Sequence, residues 1–260
     1  MNLTIRPEQP GDHSETVALT RAAFWNLHRP GCDEHFLLHR LRDDACFIPE
    51  LSFVAIAPGQ APLCEGGSRR SRQGGATPFG AARHLPQTPT GTTCHLPQGG
   101  RQSGNIIGHI ACARTHIEGE DGARHEVLTF GPLSVLPEFQ KQGVGSALIA
   151  HLFTEAPTRD FHALIICGSP FYYCRHGFVG CQQFGVRDSR GDYPFAQLAI
   201  ELTPGALAGK AGRWILPAVY EEEDPTALEA FDAAFPPQEK QTLPIQNAFH
   251  LAVSAHIREE

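Results

Sequence analysis

The sequence predicts an α/β fold built on a mixed sheet, and three observations carry that reading. Strand-like runs alternate with amphipathic helical segments along most of the chain. The runs LSFVAIA (51–57) and NIIGHIACARTHI (105–117) read as neighbouring strands of one hairpin, although 47 residues separate them. The stretch PEFQKQGVGSALIAHLFTEA (137–156) leaves a strand through a polar turn with two glycines one residue apart and passes straight into a helix.

The first strand is expected at 2–6, followed by helices at 13–25 and 33–42 whose apolar residues recur at helical spacing. Asp33 and Glu34 suit a helix start, one as N-cap and the other as negative charge facing the helix dipole. The hairpin comes next, then a strand at 126–136. Within that strand lies Gly131-Pro132, and since proline brings no N–H to the ladder, the strand is expected to bulge or splay there. HALIICG (162–168) reads as a buried strand. SPFYYCRHGF then opens a helix with Ser169 as N-cap and Pro170 at the first helical position, and Gly177-Phe178 ends it. FVGCQQFGV and FAQLAIEL close the sheet. Residues 1–202 are expected to form one domain, with an acidic annex at 203–260 packed on it. The annex holds a helix beginning at Asp224-Pro225 and an amphipathic segment, 245–257, with Phe249, Val253 and Ile257 at a spacing of four. That last segment caps the core or forms a homodimer contact.

Between the hairpin strands, residues 58–104 hold 10 Gly, 6 Pro, five Arg and one acid, with neither helical nor strand period. They are expected to be a disordered insertion, because such a composition cannot build a core. The insertion carries +4 against −7 for the whole chain, which leaves −11 on the other 213 residues. An acidic folded part argues against a nucleic-acid binder, and the SRRSR run (68–72) is read as solvated. No apolar run approaches the roughly 18 to 20 residues of a membrane span, and MNLTIRPEQPGDHSE lacks the pattern of a signal peptide. The expected compartment is the cytoplasm, with no membrane partner. Eight scattered cysteines without a C-x-x-C pair, and 14 histidines without ligand spacing, predict neither a disulfide framework nor a metal site.

The glycine turn carries the chemistry. Glycines so spaced let a ligand approach the backbone, and the first N–H groups of a helix have no partner within it, a combination that suits a phosphate. A dinucleotide fingerprint fails here, since Leu148 stands at the third glycine position and six residues separate Leu136 from Gly143. A P-loop fails for want of Gly-Lys-Ser/Thr. What remains, Gln140-Lys141-Gln142-Gly143-Val144-Gly145, resembles the Q/R-x-x-G-x-G/A pyrophosphate loop of the GNAT superfamily of N-acetyltransferases. Tyr173-Cys174-Arg175-His176-Gly177-Phe178 is similar to the Tyr-x-x-x-Gly-Phe element found downstream in that superfamily. PGCDEHFLLHRLR, FIPELSFVA, LTFGPLSVLPEFQ, GSPFYYCRHGF and PGALAGKAGRW resemble its YhbS-like bacterial branch, across most of the chain outside the insertion. Two positions depart from that branch, which commonly has Asp near Ser169 and Phe at His176, so the acceptor pocket is expected to differ.

The resemblance implies the GNAT fold, a mixed and mostly antiparallel sheet with flanking helices, with acetyl-CoA as co-substrate and no metal. It implies that Gln140, Lys141, Gln142, Gly143, Val144, Gly145 and Ser146 hold the pyrophosphate, chiefly through backbone N–H groups at a helix N-terminus. The pantetheine arm would lie along Leu133, Ser134 and Val135, with the N–H groups of Leu133 and Val135 holding it and polarising the thioester carbonyl. Tyr173 would protonate the leaving thiolate. An amine of pKa ~10 must lose a proton before it attacks. Glu126, at the start of the loop-bearing strand, is the first geometric choice of base, with His125, Asp33 and Glu34 behind it. The expected function is transfer of an acetyl group from acetyl-CoA to a primary amine of an unidentified acceptor, by direct attack through a tetrahedral intermediate. The alternative is a non-catalytic acyl-CoA-binding module with a regulatory or interaction role.

Overall fold

The computed structural model describes residues 2–57, 105–222 and 224–257; the expected insertion at 58–104 lies outside the described residues. Along the chain come β1 (Thr4–Pro7), α1 (His13–Phe24), α2 (Glu34–Leu41), β2 (Phe53–Ile56), β3 (Ile106–Gly119) and β4 (Arg124–Val135). They are followed by α3 (Val144–Glu155), β5 (Ala163–Cys167), α4 (Pro170–Tyr173), β6 (Val179–Gly180), β7 (Val186–Arg187) and β8 (Gln197–Glu201). β9 (Gly212–Ile215), α5 (Pro225–Asp232) and α6 (Pro244–Ser254) complete the described elements.

All these strands join one sheet in the order β1-β2-β3-β4-β5-β8-β6, with β9 beside the far end of β3 and beside β7. Only the β4–β5 and β7–β9 pairs are parallel, so the sheet is mixed and mostly antiparallel. The expected hairpin is β2–β3, in register at Val54↔His109. β9 is an addition that the sequence pattern did not single out. Its four residues pair with His116–Gly119, so the sheet continues past residue 202 into the segment read as an annex.

Side-chain alternation divides the core between two faces. On one face α3 lays Val144, Leu148, Ile149 and Leu152 over Ile110, Cys112, Leu128 and Phe130. Those four helical side chains are essentially fully buried, each contributing about 1.5–3 kcal/mol relative to exposure. Gly108 on β3 permits the close approach, because a Cβ there would stand 2.7 Å from Val144 Cγ1 and 3.1 Å from Leu148 Cδ1. On the other face Ala111 and Ala113 of β3 are covered by Val17 of α1, Leu38 and Leu41 of α2, and Val219.

The C-terminal segment docks on the α1–α2 unit. Asp232 of α5 accepts from Arg21 at 2.7 Å, and Phe231 stacks on His39 with ring centroids 4.7 Å apart. Asp224 caps α5 by accepting from the Ala227 N–H, the helix start read from the sequence. α6 buries Gln246 alone among its residues and leaves Ile245 and Leu251 exposed. Gln246 donates to the Asn26 carbonyl, and Phe249 stacks on His28, so α6 covers the α1–α2 loop and leaves the sheet to other elements. Among the described residues no helix is long and apolar enough to cross a membrane.

Candidate active site

β4 and β5 run parallel yet share one register pair, Leu128↔Leu164. Past that pair β5 stays bonded to β8 as far as Cys167↔Gln197, while β4 follows β3 away from it. The cause lies in β4 itself. Gly131 and Pro132, joined by a cis peptide bond, stand together opposite Ala111, and the β3 register steps from Cys112↔Phe130 to Ile110↔Leu133. A two-for-one bulge of this kind bends a strand and interrupts its ladder.

The bulge also reverses which residues face which way. Upstream, Leu128 and Phe130 point toward α3; downstream, Leu133 and Val135 do. Ser134 faces α1, where its hydroxyl is buried and shares a 2.9 Å hydrogen bond with Thr20 Oγ1. The Leu136 N–H donates to the Ile107 carbonyl on β3. Backbone groups alternate sides along a strand, so Ser134 also addresses β3, whereas the N–H groups of Leu133 and Val135 point into the gap beside β5. The Val135 carbonyl on that same side accepts from Gln140 Nε2 at 3.1 Å.

The gap runs on to the start of α3. Lys141 and Gly143 both take left-handed backbone conformations, φ 60° and 90°, and a side chain at 143 would be strained by that angle. No side chain caps α3; its first internal bond is Ala147 N–H to the Gly143 carbonyl, which leaves the N–H groups of Val144, Gly145 and Ser146 directed outward. Gln142 Nε2 donates to the Glu138 carbonyl, so both glutamine side chains of the turn brace it from within. Leu133, Val135, Gly143, Val144, Gly145 and Ser146 are thus brought onto one continuous line of backbone donors.

Two adjacent tyrosines on the single turn of α4 close this line at either end. Tyr173 packs between Phe130 and Phe178, at 5.8 and 5.7 Å, and its ring lies over Gly168, where a Cβ would be 2.4 Å away. Burial raises its phenol well above the ordinary range, so it is protonated at neutral pH. Tyr172 turns the other way. Its hydroxyl lies 2.7 Å from the position of a Cβ on Gly145, beside the first turn of α3. Sequence reasoning had no signal for this contact, because Tyr172 stands outside the Tyr-x-x-x-Gly-Phe pattern.

Glu126 is not brought to this line. It sits five residues before Gly131, more than half exposed on the α3 face of the sheet, with Arg114 as ion-pair partner at 3.4 Å. At about 3.4 Å per residue that puts it some ~17 Å from the bulge. Asp33 pairs with Arg29, and Glu34 bonds His28 at 2.8 Å, both at the head of α2.

Residues 100–180 match the family model described as acetyltransferase (GNAT) domain, and they contain the bulge, the gap, the glycine turn and both tyrosines. Over those residues the chain is similar to a GNAT acetyltransferase domain. Over 98 residues, 37% of this chain, it is 35% identical to the uncharacterized N-acetyltransferase YjhQ of Escherichia coli strain K12. The chain spans about half the length of that curated relative, 52%. In fold it is similar to the GNAT family N-acetyltransferase YhbS of E. coli, solved in complex with CoA, with TM-score 0.60 and 18% identity over 85% of this chain and 93% of that one. A GNAT family acetyltransferase of Brucella melitensis in complex with acetyl-CoA gives TM-score 0.54 and 20% identity over 84% and 98%.

Two features of the site come from outside the stretch that matches the GNAT domain. Tyr220, in a 3-10 turn (Ala218–Tyr220), donates its hydroxyl to the Gly131 carbonyl at 3.1 Å. Glu8, just after β1, is buried behind the sheet, where Arg42 (2.6 Å) and Thr16 (2.8 Å) donate to it and His109 of β3 lies 3.2 Å away. Burial pushes this carboxyl up, but the adjacent His109 ring and the hydrogen bonds from Arg42 outweigh it and hold Glu8 well below the usual carboxylate range. Through Thr16, Arg42 and His109, Glu8 joins α1 and the end of α2 to β3, one strand from the gap.

Proposed function

We propose that this protein transfers the acetyl group of acetyl-CoA to a primary amine by direct attack. The reading is carried by one juxtaposition, the unpaired N–H groups of Leu133 and Val135 running on to the uncapped N-terminus of α3. A diphosphate suits the first helical N–H groups and the positive end of the helix dipole. A thioester in the gap would meet the Leu133 N–H as a donor that strengthens as its carbonyl becomes an oxyanion. Tyr173, protonated at neutral pH, supplies the proton for the departing thiolate. The base is not assigned to Glu126, whose carboxylate is on the far stretch of β4.

The test is a screen for acetyl-CoA-dependent thiol release against polyamines, amino acids, aminoglycosides and peptide amines, run beside calorimetric titration of CoA. Binding with turnover of at least one amine supports the reading. Binding without thiol release from any of them favours the non-catalytic acyl-CoA module, and failure to bind CoA removes both.

A further inference from the structure

The gap beside β4 has two faces, and α3 with the line of backbone donors takes one of them, which leaves the face crossed by α1 to the amine. We propose that α6 is a strap across the acceptor's entrance on that face, and that it admits slender primary amines and excludes bulky ones. The inference rests on the acetyl-transfer reading and adds the shape of the acceptor to it.

α1 forms one lip of the entrance. Its Thr16 hydroxyl donates to Glu8, which lies 3.2 Å from His109 of β3, and one turn later Thr20 shares its hydrogen bond with Ser134 of β4. In the sheet order β3-β4-β5 the same heading carries the last turn of α1, with Phe24 and then Asn26, over the gap. Residues 193–196 form the other lip. The Ala196 carbonyl accepts from the Gly168 N–H just past β5, and the Gln197 N–H, level with Cys167 at the start of β8, turns back to the Pro194 carbonyl.

α6 is fastened to both lips. At one end the rivet is Asn26, buried, left-handed at φ 60° and hydrogen-bonded through all its polar groups. Its Oδ1 accepts from the N–H groups of Gly31 and Gln241, its Nδ2 donates to the Glu239 carbonyl and its N–H to the Gly31 carbonyl, and its own carbonyl accepts from Gln246 of α6. Phe249 adds its stack on His28, with ring centroids 3.9 Å apart. At the other end the Phe195 N–H donates to the Ala255 carbonyl and the Ile257 N–H to the Tyr193 carbonyl, both at 2.8 Å. The 11 residues of α6, about 16 Å of helix, therefore run from the lip over β4 to the lip beside β5. Gln246 alone among them is buried, so the strap is held by its ends, the arrangement of an element that opens locally. The strap closes the entrance into a ring, and a ring limits an acceptor by its cross-section.

Cys167 supplies a reporter. It ends β5 on the side of Ala163 and Ile165, away from α3, and its thiol is exposed beside the second lip. The experiment applies N-ethylmaleimide and a polyethylene-glycol maleimide to the full chain, reads alkylation of Cys167 by peptide mass mapping, and normalises each rate to the urea-unfolded protein. Butylamine and 1-adamantylamine are then compared as acceptors with acetyl-CoA, and CoA affinity is measured by calorimetry. The wild-type protein should favour the slender member of each pair. Asn26→Gly, which keeps the left-handed backbone, and Gln246→Ala combined with Phe249→Ala each loosen the first fastening. Both should raise the bulky-maleimide rate and kcat/KM for 1-adamantylamine about three- to tenfold, the worth of one or two hydrogen bonds. N-ethylmaleimide, butylamine and CoA should stay within about twofold of wild type. Bulky probes unmoved in both variants, a parallel rise with N-ethylmaleimide, or 1-adamantylamine accepted as well as butylamine by the wild type would each overturn the strap while leaving acetyl transfer standing. Failure of the wild-type protein to bind CoA would overturn acetyl transfer, and the Cys167 rates would still decide for or against the strap.

Discussion

Gly145→Asp separates the two demands placed on the start of α3. Gly145 is the second residue of the helix, so a carboxylate there faces the positive end of the dipole, favourable by about 0.3–1 kcal/mol, and the helix loses an unfavourable glycine. Room is available at small cost. A Cβ would meet the Tyr172 hydroxyl at 2.7 Å, and otherwise only Val135 Cγ2 at 3.7 Å and Leu133 Cδ2 at 3.9 Å, so the phenol tip alone has to swing aside. The variant should fold with wild-type or slightly raised thermal stability. A phosphate on the same N–H groups would stand about 4 Å from the new carboxylate, a repulsion of ~1 kcal/mol in water and ~4 kcal/mol at an effective dielectric of 20. CoA affinity should therefore fall roughly fivefold to a thousandfold. Calorimetric titration of CoA beside a thermal melt reads both quantities. Gly145→Ala, alone and with Tyr172→Phe, supplies the steric control: if bulk were the cause, alanine would reproduce the loss and the phenylalanine would relieve it. A folded Gly145→Asp protein that binds CoA within about threefold of wild type would refute the placement of the phosphate.

Tyr173→Phe should keep the ring packing and CoA affinity while lowering kcat by about 10² to 10⁴, the usual worth of a positioned acid, measured once a cognate amine is in hand. Because burial raises this phenol, kcat should show no fall from its ionisation between pH 7 and about 10. Glu8→Gln leaves the buried Arg42 without its carboxylate and should cost about 3–5 kcal/mol at pH 7 in urea unfolding. The folded carboxyl is held below its unfolded value, so that stabilisation is fully present above about pH 4.5 and is lost as pH falls toward the folded value. The gap between wild type and variant should narrow in acid, and a gap that widens there would contradict the ion-pair account. Gly108→Val puts a side chain where Val144 and Leu148 already sit and should cost about 1–3 kcal/mol in thermal or urea melts; an unchanged midpoint would show that α3 can retreat freely.

Much of the architecture was legible because it is written locally. The apolar spacing of α1 and α2, the alternation of β2 and β3, the proline that starts α4 and the Asp224-Pro225 start of α5 all come from residues a few positions apart. The glycine turn was legible for the same reason: a left-handed residue at 143 and an uncapped helix start are properties of one short segment. β9 escaped because four residues between a glycine-containing stretch and Leu216-Pro217 carry no period, and only pairing with β3 makes them a strand.

At the site the division is sharper. Through its resemblance to the GNAT superfamily the sequence named Leu133, Val135 and the turn to Ser146 as backbone donors for CoA, a role that is proposed above and that needs only a strand, a break and a helix in the right order. Side-chain roles were decided by the tertiary structure. The Gly131-Pro132 bulge reverses the parity of β4, so counting along the strand does not tell that Ser134 turns to Thr20. The Tyr-x-x-x-Gly-Phe pattern sets Tyr173 apart from Tyr172, and packing against Phe130 and beside Gly145 shows what each ring touches. Tyr220 lies 89 residues from Gly131 and meets it because α2 and the sheet hold both in place. Periodicity reports a residue's relation to its own element, and such contacts depend on how elements far apart in sequence are packed together.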